Sequence, residues 1–239
     1  MLKTGPPFRH LKRYLTMLNR PIVVTIDGPA ASGKSSVSRE IAKKHSWAWV
    51  STGAFYRGLA FVALQKEIDL DDIKALVDLC HDDEWSIELT SVKTEVLFQG
   101  ADVTEMINHE DVGSFASRIS HHKEVRKALL EAQRNCALGQ SGLVAEGRDC
   151  GTIVFPDAPI KFYLTAKSEN RAQRRALEQG SDLLEVQSAQ KIRDHQDSSR
   201  KSAPLQIPEN AIVIDTTDLD LDGVVSEADR HIRQKLATL

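Results

Sequence analysis

Short apolar runs alternate with longer amphipathic stretches along most of the chain. Runs rich in β-branched residues predict buried strands at 21–28, 48–53, 142–147, 160–166 and 211–217. Between and after them, apolar residues recur at helical spacing over 37–45, 54–66, 69–80, 108–119, 121–138 and 221–237. Because such alternation is typical of a parallel sheet covered by helices on both faces, we predict an α/β fold with a five-stranded parallel sheet.

Two segments depart from this pattern. Residues 85–100 alternate polar and apolar positions with a period of two, which predicts a small antiparallel insertion. Residues 168–202 are polar, arginine-rich and helical, and too hydrophilic to form a core element. We therefore predict a domain division into a core (21–66, 140–167 and 205–239), an insert (67–139) and an arginine-rich segment (168–204).

The first twenty residues are basic and lack acids, and Pro6 and Pro7 interrupt them. They contain no apolar core of a secretory signal, and no run in the chain approaches the ~20 apolar residues that span a bilayer. A transit peptide and a true start at Met17 are alternatives. We expect residues 1–20 to be a flexible extension.

Charge and cysteine content narrow the class of protein. A net charge of −3 argues against a dedicated nucleic-acid binder. Cys80, Cys136 and Cys150 have no C-x-x-C spacing and predict no disulfide framework, which fits a reducing cytoplasm. We expect a cytoplasmic monomer without nucleic-acid or membrane partners.

The segment from Gly28 to Ser35 matches the pattern G-x-x-x-x-G-K-[ST] between a predicted strand and a predicted helix. In such loops the backbone N–H groups cradle phosphates at the positive end of the helix. Lys34 would reach the β- and γ-phosphates and Ser35 would hold Mg²⁺. The predicted phosphate-binding residues are Gly28, Pro29, Ala30, Ala31, Ser32, Gly33, Lys34, Ser35 and Ser36.

Other motifs limit the reaction. The Asn-Lys-x-Asp sequence of GTPases and the Leu-Ser-Gly-Gly sequence of transporter ATPases do not occur in the chain. Instead, arginines follow predicted strand ends or lie in the arginine-rich segment: Arg57, Arg148, Arg171, Arg174, Arg175, Arg193 and Arg200. Ligands of open α/β sheets bind at the carboxyl ends of strands, where an arginine can clamp a phosphate. For Arg171 or Arg174 taken singly, a solvated helix face is the favoured interpretation.

Several longer stretches carry a resemblance to a known family. STGAFYRGLA (51–60), AEGRDCGTIVFPDAPIKFYLTA (145–166) and IRDHQDSSRKSAPL (192–205) resemble bacterial cytidylate (CMP) kinases, and the likeness runs from about residue 21 to the C-terminus. The G-R-D-x-G-T-x-V-F-P-D-A-P and R-D-x-x-D-S-x-R patterns are far more specific than the phosphate loop. The resemblance implies a three-layer P-loop fold in which the insert binds the nucleoside monophosphate and the arginine-rich segment (168–204), called the lid segment below, is a mobile lid.

The resemblance also implies an activity: transfer of the γ-phosphoryl group of ATP to CMP or dCMP, with Mg²⁺ as cofactor. The catalytic residues it implies are Lys34, Arg148, Arg193 and Arg200. The CMP-binding residues it implies are Thr52, Tyr56, Arg57, Ser117, Arg126, Arg148, Asp149, Arg193, Asp197 and Arg200. Among these, Ser117, Arg126 and Asp149 would read the cytosine.

Some positions leave alternatives open. Glu146 stands where many members have aspartate, and we expect it to support Mg²⁺ beside Ser35 through a water. Asn108 replaces a common arginine and is interpreted as structural. Asp27 either orients a metal-bound water or simply ends a strand. The alternative functions are a kinase of another monophosphate, such as UMP, and a nucleotide-binding regulatory module that has lost transferase activity.

Overall fold

The structure, a computed structural model, describes residues 21–200 and 203–238, so the predicted extension at 1–20 lies outside the described residues. Its strands are β1 (Ile22–Asp27), β2 (Ala48–Ser51), β3 (Trp85–Leu89), β4 (Thr94–Phe98), β5 (Ala101–Asp102), β6 (Gly142–Gly147), β7 (Ile160–Thr165) and β8 (Ile212–Asp215). Its helices are α1 (Lys34–His45), α2 (Thr52–Gln65), α3 (Ile73–Leu79), α4 (Thr104–Ile107), α5 (Glu110–Ile119), α6 (Lys123–Asn135), α7 (Ser168–Gln179), α8 (Leu183–Ser199) and α9 (Leu221–Leu236). A π-helical turn spans Cys150–Val154.

The central sheet has five parallel strands in the order β2-β6-β1-β7-β8. This confirms the five predicted strands and their direction. The predicted strand over 48–53 is too long, because Thr52 and Gly53 already form the first turn of α2. The β1–β6 register aligns Ile26 with Glu146 and Asp27 with Gly147, so polar groups from both strands meet at the carboxyl edge of the sheet.

Alternate side chains of β1 belong to two different hydrophobic clusters, and this places helices on both faces of the sheet. Val24 and Ile26 pack in a cluster with Ile41 of α1 and Ile232 of α9. Val23, by contrast, belongs to the cluster that contains α2 and most of the insert. The three-layer arrangement predicted from the sequence is confirmed.

The insert contains an antiparallel sheet in the order β3-β4-β5, as the two-residue period predicts, with the short β5 as an additional strand. It packs closely on α2, because a Cβ at Gly58 would lie 3.0 Å from the Trp85 ring. The helix predicted at 69–80 is shorter, beginning at Ile73 after Asp72, whose side chain accepts a hydrogen bond from the Ala75 N–H. The stretch 108–119 begins as a helix only at Glu110, after the separate α4.

The lid segment is attached more firmly than its polarity suggests. Arg171 is only 6% exposed and donates hydrogen bonds to the Ala30 carbonyl at 3.0 Å and to both Asp194 oxygens at 3.2 and 2.7 Å. Arg174 donates to the Thr216 hydroxyl at 2.9 Å. The interpretation of these two arginines as a solvated face is therefore wrong. They join α7 to the phosphate loop, to α8 and to the segment after β8.

Within residues 21–200 and 203–238, no helix is both long and apolar enough to cross a bilayer.

Candidate active site

The predicted phosphate loop lies between β1 and α1, and glycine is required where it starts. Gly28 has φ 149°, and a Cβ at this position would lie 2.1 Å from the Leu164 carbonyl oxygen of β7. Gly33, with φ 84°, is the N-cap of α1. The loop therefore leads directly into the N-terminus of α1, which is the positive end of the helix. This geometry binds phosphate.

Lys34 lies inside this loop. Its Nζ donates to the Pro29 carbonyl at 2.6 Å and approaches the Ser32 hydroxyl at 3.5 Å. Burial and, next, the nearby Arg148 charge lower the pKa of Lys34 to about 7. An anion placed in the loop would favour the charged ammonium, so binding of a phosphate would raise the pKa of Lys34.

Ser35 and Glu146 form the pair of oxygen groups that could hold a divalent cation. The Ser35 hydroxyl donates to the Glu146 carboxylate, with distances of 2.7 Å to Oε1 and 3.0 Å to Oε2. Glu146 is buried at the end of β6. Mg²⁺ typically takes one or two protein oxygens and fills its other positions with phosphates and water. The pair fits such a site. The described residues contain no cluster of three or more His, Cys, Asp or Glu that could hold a metal by itself.

Arg126 and Asp149 form a buried ion pair on the other side of the same cavity. The Arg126 Nη2 contacts Asp149 Oδ2, and both side chains are buried. The Arg126 guanidinium also lies 5.5 Å from the centre of the Tyr56 ring. Burying a charge pair removes two ions from water, so its gain in folding stability is small or negative. A pair retained at the edge of a cavity is a candidate for ligand recognition.

Asp197 of α8 links the lid segment to the core. Its Oδ2 accepts from Arg148 Nε at 2.7 Å and its Oδ1 from Arg200 Nη2 at 2.6 Å. Burial alone would raise the pKa of Asp197, but the charges of Arg148 and Arg200 hold this pKa below its usual value. The carboxylate is therefore ionised at neutral pH and holds two of the predicted phosphate-binding arginines.

Glu110 makes the second connection to the lid. Its carboxylate accepts from Arg175 Nη2 at 2.6 Å and from Arg193 Nη2 at 3.2 Å. A third contact joins the Ser117 hydroxyl to Gln196 Oε1 at 3.0 Å. Since Glu110 and Ser117 both belong to α5, the lid helices rest on the insert in this structure.

Arg57 and Thr52 are held by backbone carbonyls. Arg57 Nη1 donates to the Ile107 carbonyl at 2.8 Å and to the His109 carbonyl at 3.3 Å. Burial and the Arg193 charge lower the pKa of Arg57 to about 10, so the guanidinium stays charged at neutral pH. The Thr52 hydroxyl donates to the Glu146 carbonyl at 2.8 Å and fixes the start of α2 against β6. Asn108, as interpreted from the sequence, makes a structural bond, from Nδ2 to the Thr104 carbonyl at 3.0 Å.

One cavity of about 260 Å³ brings the predicted residues together. Every residue that the resemblance implied for CMP lines it, together with Ala30, Ala31, Lys34, Ser35 and Glu146. The other predicted phosphate-loop residues do not line it: Gly28, Pro29, Ser32, Gly33 and Ser36. Arg175 also lines the cavity, although it is not among the site residues predicted from the sequence. Polarity alone could not decide which arginine of α7 faces the cavity.

The sequence is similar to those of known proteins over most of its length. The sequence model of the family described as cytidylate kinase matches residues 24–234. A cytidylate kinase of Bdellovibrio bacteriovorus is 60% identical over 215 residues, which cover 90% of this chain and 99% of that protein. Cytidylate kinases of Azotobacter vinelandii and Citrifermentans bemidjiense are 43% and 39% identical, covering 86% and 90% of this chain and 93% and 94% of theirs. The chain belongs to the cytidylate kinase family.

Proposed function

We propose that this protein transfers the γ-phosphoryl group of ATP to CMP or dCMP, forming ADP and CDP or dCDP. The observation that carries the proposal is a single cavity with Lys34 and Ser35 of the phosphate loop on one side and the Arg126–Asp149 pair on the other. Such a cavity can hold a donor phosphate and a planar polar base at the same time. Membership of the cytidylate kinase family supports the same conclusion.

The Arg126–Asp149 pair complements cytosine. This base offers an exocyclic amine as donor beside the acceptors N3 and O2, and a carboxylate and a guanidinium supply the matching acceptor and donors. Uracil has a carbonyl in place of the amine and would set two acceptors against each other at Asp149. A buried site that must leave its polar groups unpaired rejects such an analogue strongly.

The acceptor phosphate would lie among Arg57, Arg148 and Arg193, which line the cavity from α2, the end of β6 and α8. A monophosphate has a second pKa near ~6, so it is largely ionised at neutral pH and needs no protein base. Its attack then depends on alignment and on neutralisation of charge. Asp197 and Arg200 reach the cavity from the lid and would contact the sugar and the phosphates.

Mg²⁺ is the cofactor that the family implies, and Ser35 and Glu146 are the residues that would hold it. A bound Mg²⁺ would supply positive charge that offsets the charge of the nucleotide phosphates. The hydrogen bond between Ser35 and Glu146 orients the oxygens of this pair, and the Pro29 carbonyl holds the Lys34 ammonium group inside the phosphate loop.

The lid segment would exclude water that could accept the phosphoryl group in place of CMP. Its α8 contributes Arg193 and Asp197 to the cavity, and Arg171 joins α7 to both α8 and the phosphate loop. We therefore assign residues 168–204 as the lid and 67–139 as the monophosphate-binding insert.

A coupled assay of ADP formation from MgATP tests the proposal. The acceptors compared are CMP, dCMP, UMP, AMP and GMP, each over a range of concentrations. CMP and dCMP should accelerate ADP formation, and the product should be the corresponding diphosphate. If no monophosphate accelerates it, the protein is a non-catalytic nucleotide-binding module. If UMP or AMP outperforms CMP, the assignment of the base-reading residues is wrong.

A further inference from the structure

Asp27 connects the two halves of the candidate site through a single carboxylate. It is the last residue of β1, directly before Gly28, and its side chain is fully buried. Its Oδ1 accepts a hydrogen bond from the Cys150 N–H at 2.8 Å, and its Oδ2 accepts one from the Gly151 N–H at 2.7 Å. These are the two residues directly after Asp149. The carboxylate therefore ties the two residues that follow Asp149 to the end of β1, the strand that leads into the phosphate loop.

The loop after Asp149 depends on this support. Cys150–Val154 form a single π-helical turn, closed by hydrogen bonds from the Ile153 and Val154 N–H groups to the Asp149 carbonyl at 2.9 and 3.1 Å. The first N–H groups of a helical turn have no partner within the turn. Here Asp27 takes the N–H groups of Cys150 and Gly151, and a carboxylate is a stronger acceptor for them than a neutral group.

The packing at this point leaves little room for another arrangement. A Cβ added to Gly151 would lie 2.8 Å from the Thr25 hydroxyl and 3.1 Å from Asp27 Oδ2. Burial raises the pKa of Asp27 to about 6, while the bonds from Gly151 and Cys150 oppose that rise. At neutral pH the carboxylate is thus mainly ionised, in the form that accepts both bonds. The hydroxyl of Ser35, which belongs to the candidate metal site, bonds to Glu146 rather than to Asp27.

We propose that Asp27 is a positioning residue for recognition of the acceptor base, holding residues 149–151 so that Asp149 meets Arg126 at the cavity. The inference rests on the proposed function, because it assigns a purpose to the base-reading role of Asp149. It excludes orientation of a metal-bound water as the main role of Asp27. Loss of the carboxylate should lower the fraction of protein in which Asp149 is correctly placed, and the apparent affinity for CMP falls by that fraction.

Asp27→Asn is the most direct test, because it keeps the side-chain volume. The amide oxygen can still accept one N–H group, but the amide nitrogen sets a donor against the other. We expect KM for CMP to rise about ten-fold while kcat falls less than about three-fold, since saturating CMP restores the competent loop. KM for ATP and the Mg²⁺ concentration for half-maximal activity should change less than about two-fold. The ratio of kcat/KM for CMP over UMP should fall, which a general loss of stability would not cause.

Asp215→Asn is the matched control. Asp215 ends β8 at the same edge of the sheet, and its carboxylate likewise accepts a backbone N–H, that of Thr217 at 2.9 Å. It bonds to its own segment and not to residues 149–151. The same chemical change there should leave KM for CMP and the CMP-to-UMP ratio at their wild-type values. Thermal unfolding measures the stability of each variant, so that the kinetic constants are compared between proteins of known folded fraction.

Gly151→Ala disturbs the same contact from the other side and leaves the carboxylate intact. The added methyl group pushes the loop away from Thr25 and Asp27, so KM for CMP should rise and the CMP-to-UMP ratio should fall in the same way. This variant decides the question if Asp27→Asn does not fold. An unchanged KM for CMP together with a raised Mg²⁺ requirement in Asp27→Asn would overturn the inference and place Asp27 at the metal.

The two levels of the proposal fail separately. Absence of CMP phosphorylation by the wild-type protein would remove the proposed function. Unchanged acceptor kinetics in both variants, in a wild-type background that phosphorylates CMP, would remove only the role of Asp27.

Discussion

The Ser35 hydroxyl donates a hydrogen bond of 2.7 Å to Glu146, a residue 111 positions away in the chain. The contact is a consequence of strand order. Because β6 lies directly beside β1 in parallel register, its last residues reach the start of α1 that follows the phosphate loop. The carboxylate and the hydroxyl are therefore brought together by the fold of the core alone, without the insert or the lid.

Glu146→Gln should raise the Mg²⁺ concentration needed for half-maximal activity about ten-fold or more, the range seen when groups that support a metal are changed. The amide keeps the size of the side chain but loses the charge that favours a cation. Activity measured against free Mg²⁺ at saturating ATP and CMP checks this. Glu146→Asp, which keeps the charge, should stay closer to wild type. An unchanged Mg²⁺ requirement in Glu146→Gln would remove Glu146 from the metal site.

Arg126→Ala and Arg148→Ala should have different kinetic defects. Arg126 pairs with Asp149, so its loss should mainly raise KM for CMP. Arg148 lies beside Lys34 and Asp197, where the transferred group would pass, so its loss should lower kcat as well. Steady-state kinetics over CMP at saturating MgATP separates the two effects. Identical defects in both variants would contradict the division between base and phosphate contacts.

Lys34 should take up a proton when nucleotide binds near pH 8. Its pKa is lowered from 10.5 to about 7, first by burial, so above pH 7 the amine is mainly neutral before binding. Phosphates beside it favour the charged form and raise the pKa, which draws a proton from solution. Calorimetric titration of ADP in two buffers of different ionisation enthalpy measures this uptake. The difference between buffers should be lost in Lys34→Met, and equal enthalpies for the wild-type protein would contradict the prediction.

Glu110→Gln should loosen the lid. The carboxylate bridges Arg175 of α7 and Arg193 of α8, and its loss leaves these charges to repel each other. Its side chain is 47% exposed, so solvent weakens the pairs and we expect only a two- to five-fold rise in KM for both substrates, as for partly exposed ion pairs of about 1 kcal/mol or less. Hydrogen exchange in 183–199 should become faster. Glu88→Gln, the same change on an exposed position of β3, is the control and should alter neither quantity.

The strands and the phosphate loop could be predicted from the sequence because local chemistry determines them. Val23, Val24 and Ile26 form a short β-branched run typical of a strand buried on both faces, and β6 has the bounds predicted for it, 142–147. The predicted end of β2 was wrong, because Thr52 and Gly53 fit either a strand end or a helix start. The Thr52 hydroxyl bonds to the Glu146 carbonyl, which lies far away in sequence.

The lid shows where local chemistry is insufficient. Arg171, Arg174 and Arg175 are close together in a polar helix, yet one is buried against Ala30, one bonds to Thr216 and one faces the cavity. Each outcome depends on a partner from another part of the chain. The direct bond between Ser35 and Glu146 was likewise not predicted, because it depends on the pairing of β6 beside β1.

We propose that Asp149, paired with Arg126, selects cytosine beside the phosphate loop. The most direct test of this selection is kcat/KM for CMP and for UMP, measured in the wild-type protein and in Asp149→Asn. The wild-type protein should favour CMP by at least about 100-fold. In the variant, the side-chain amide offers a donor to the uracil carbonyl, so this preference should fall at least about ten-fold. Equal use of both nucleotides by wild type, or an unchanged preference in the variant, would contradict the proposal.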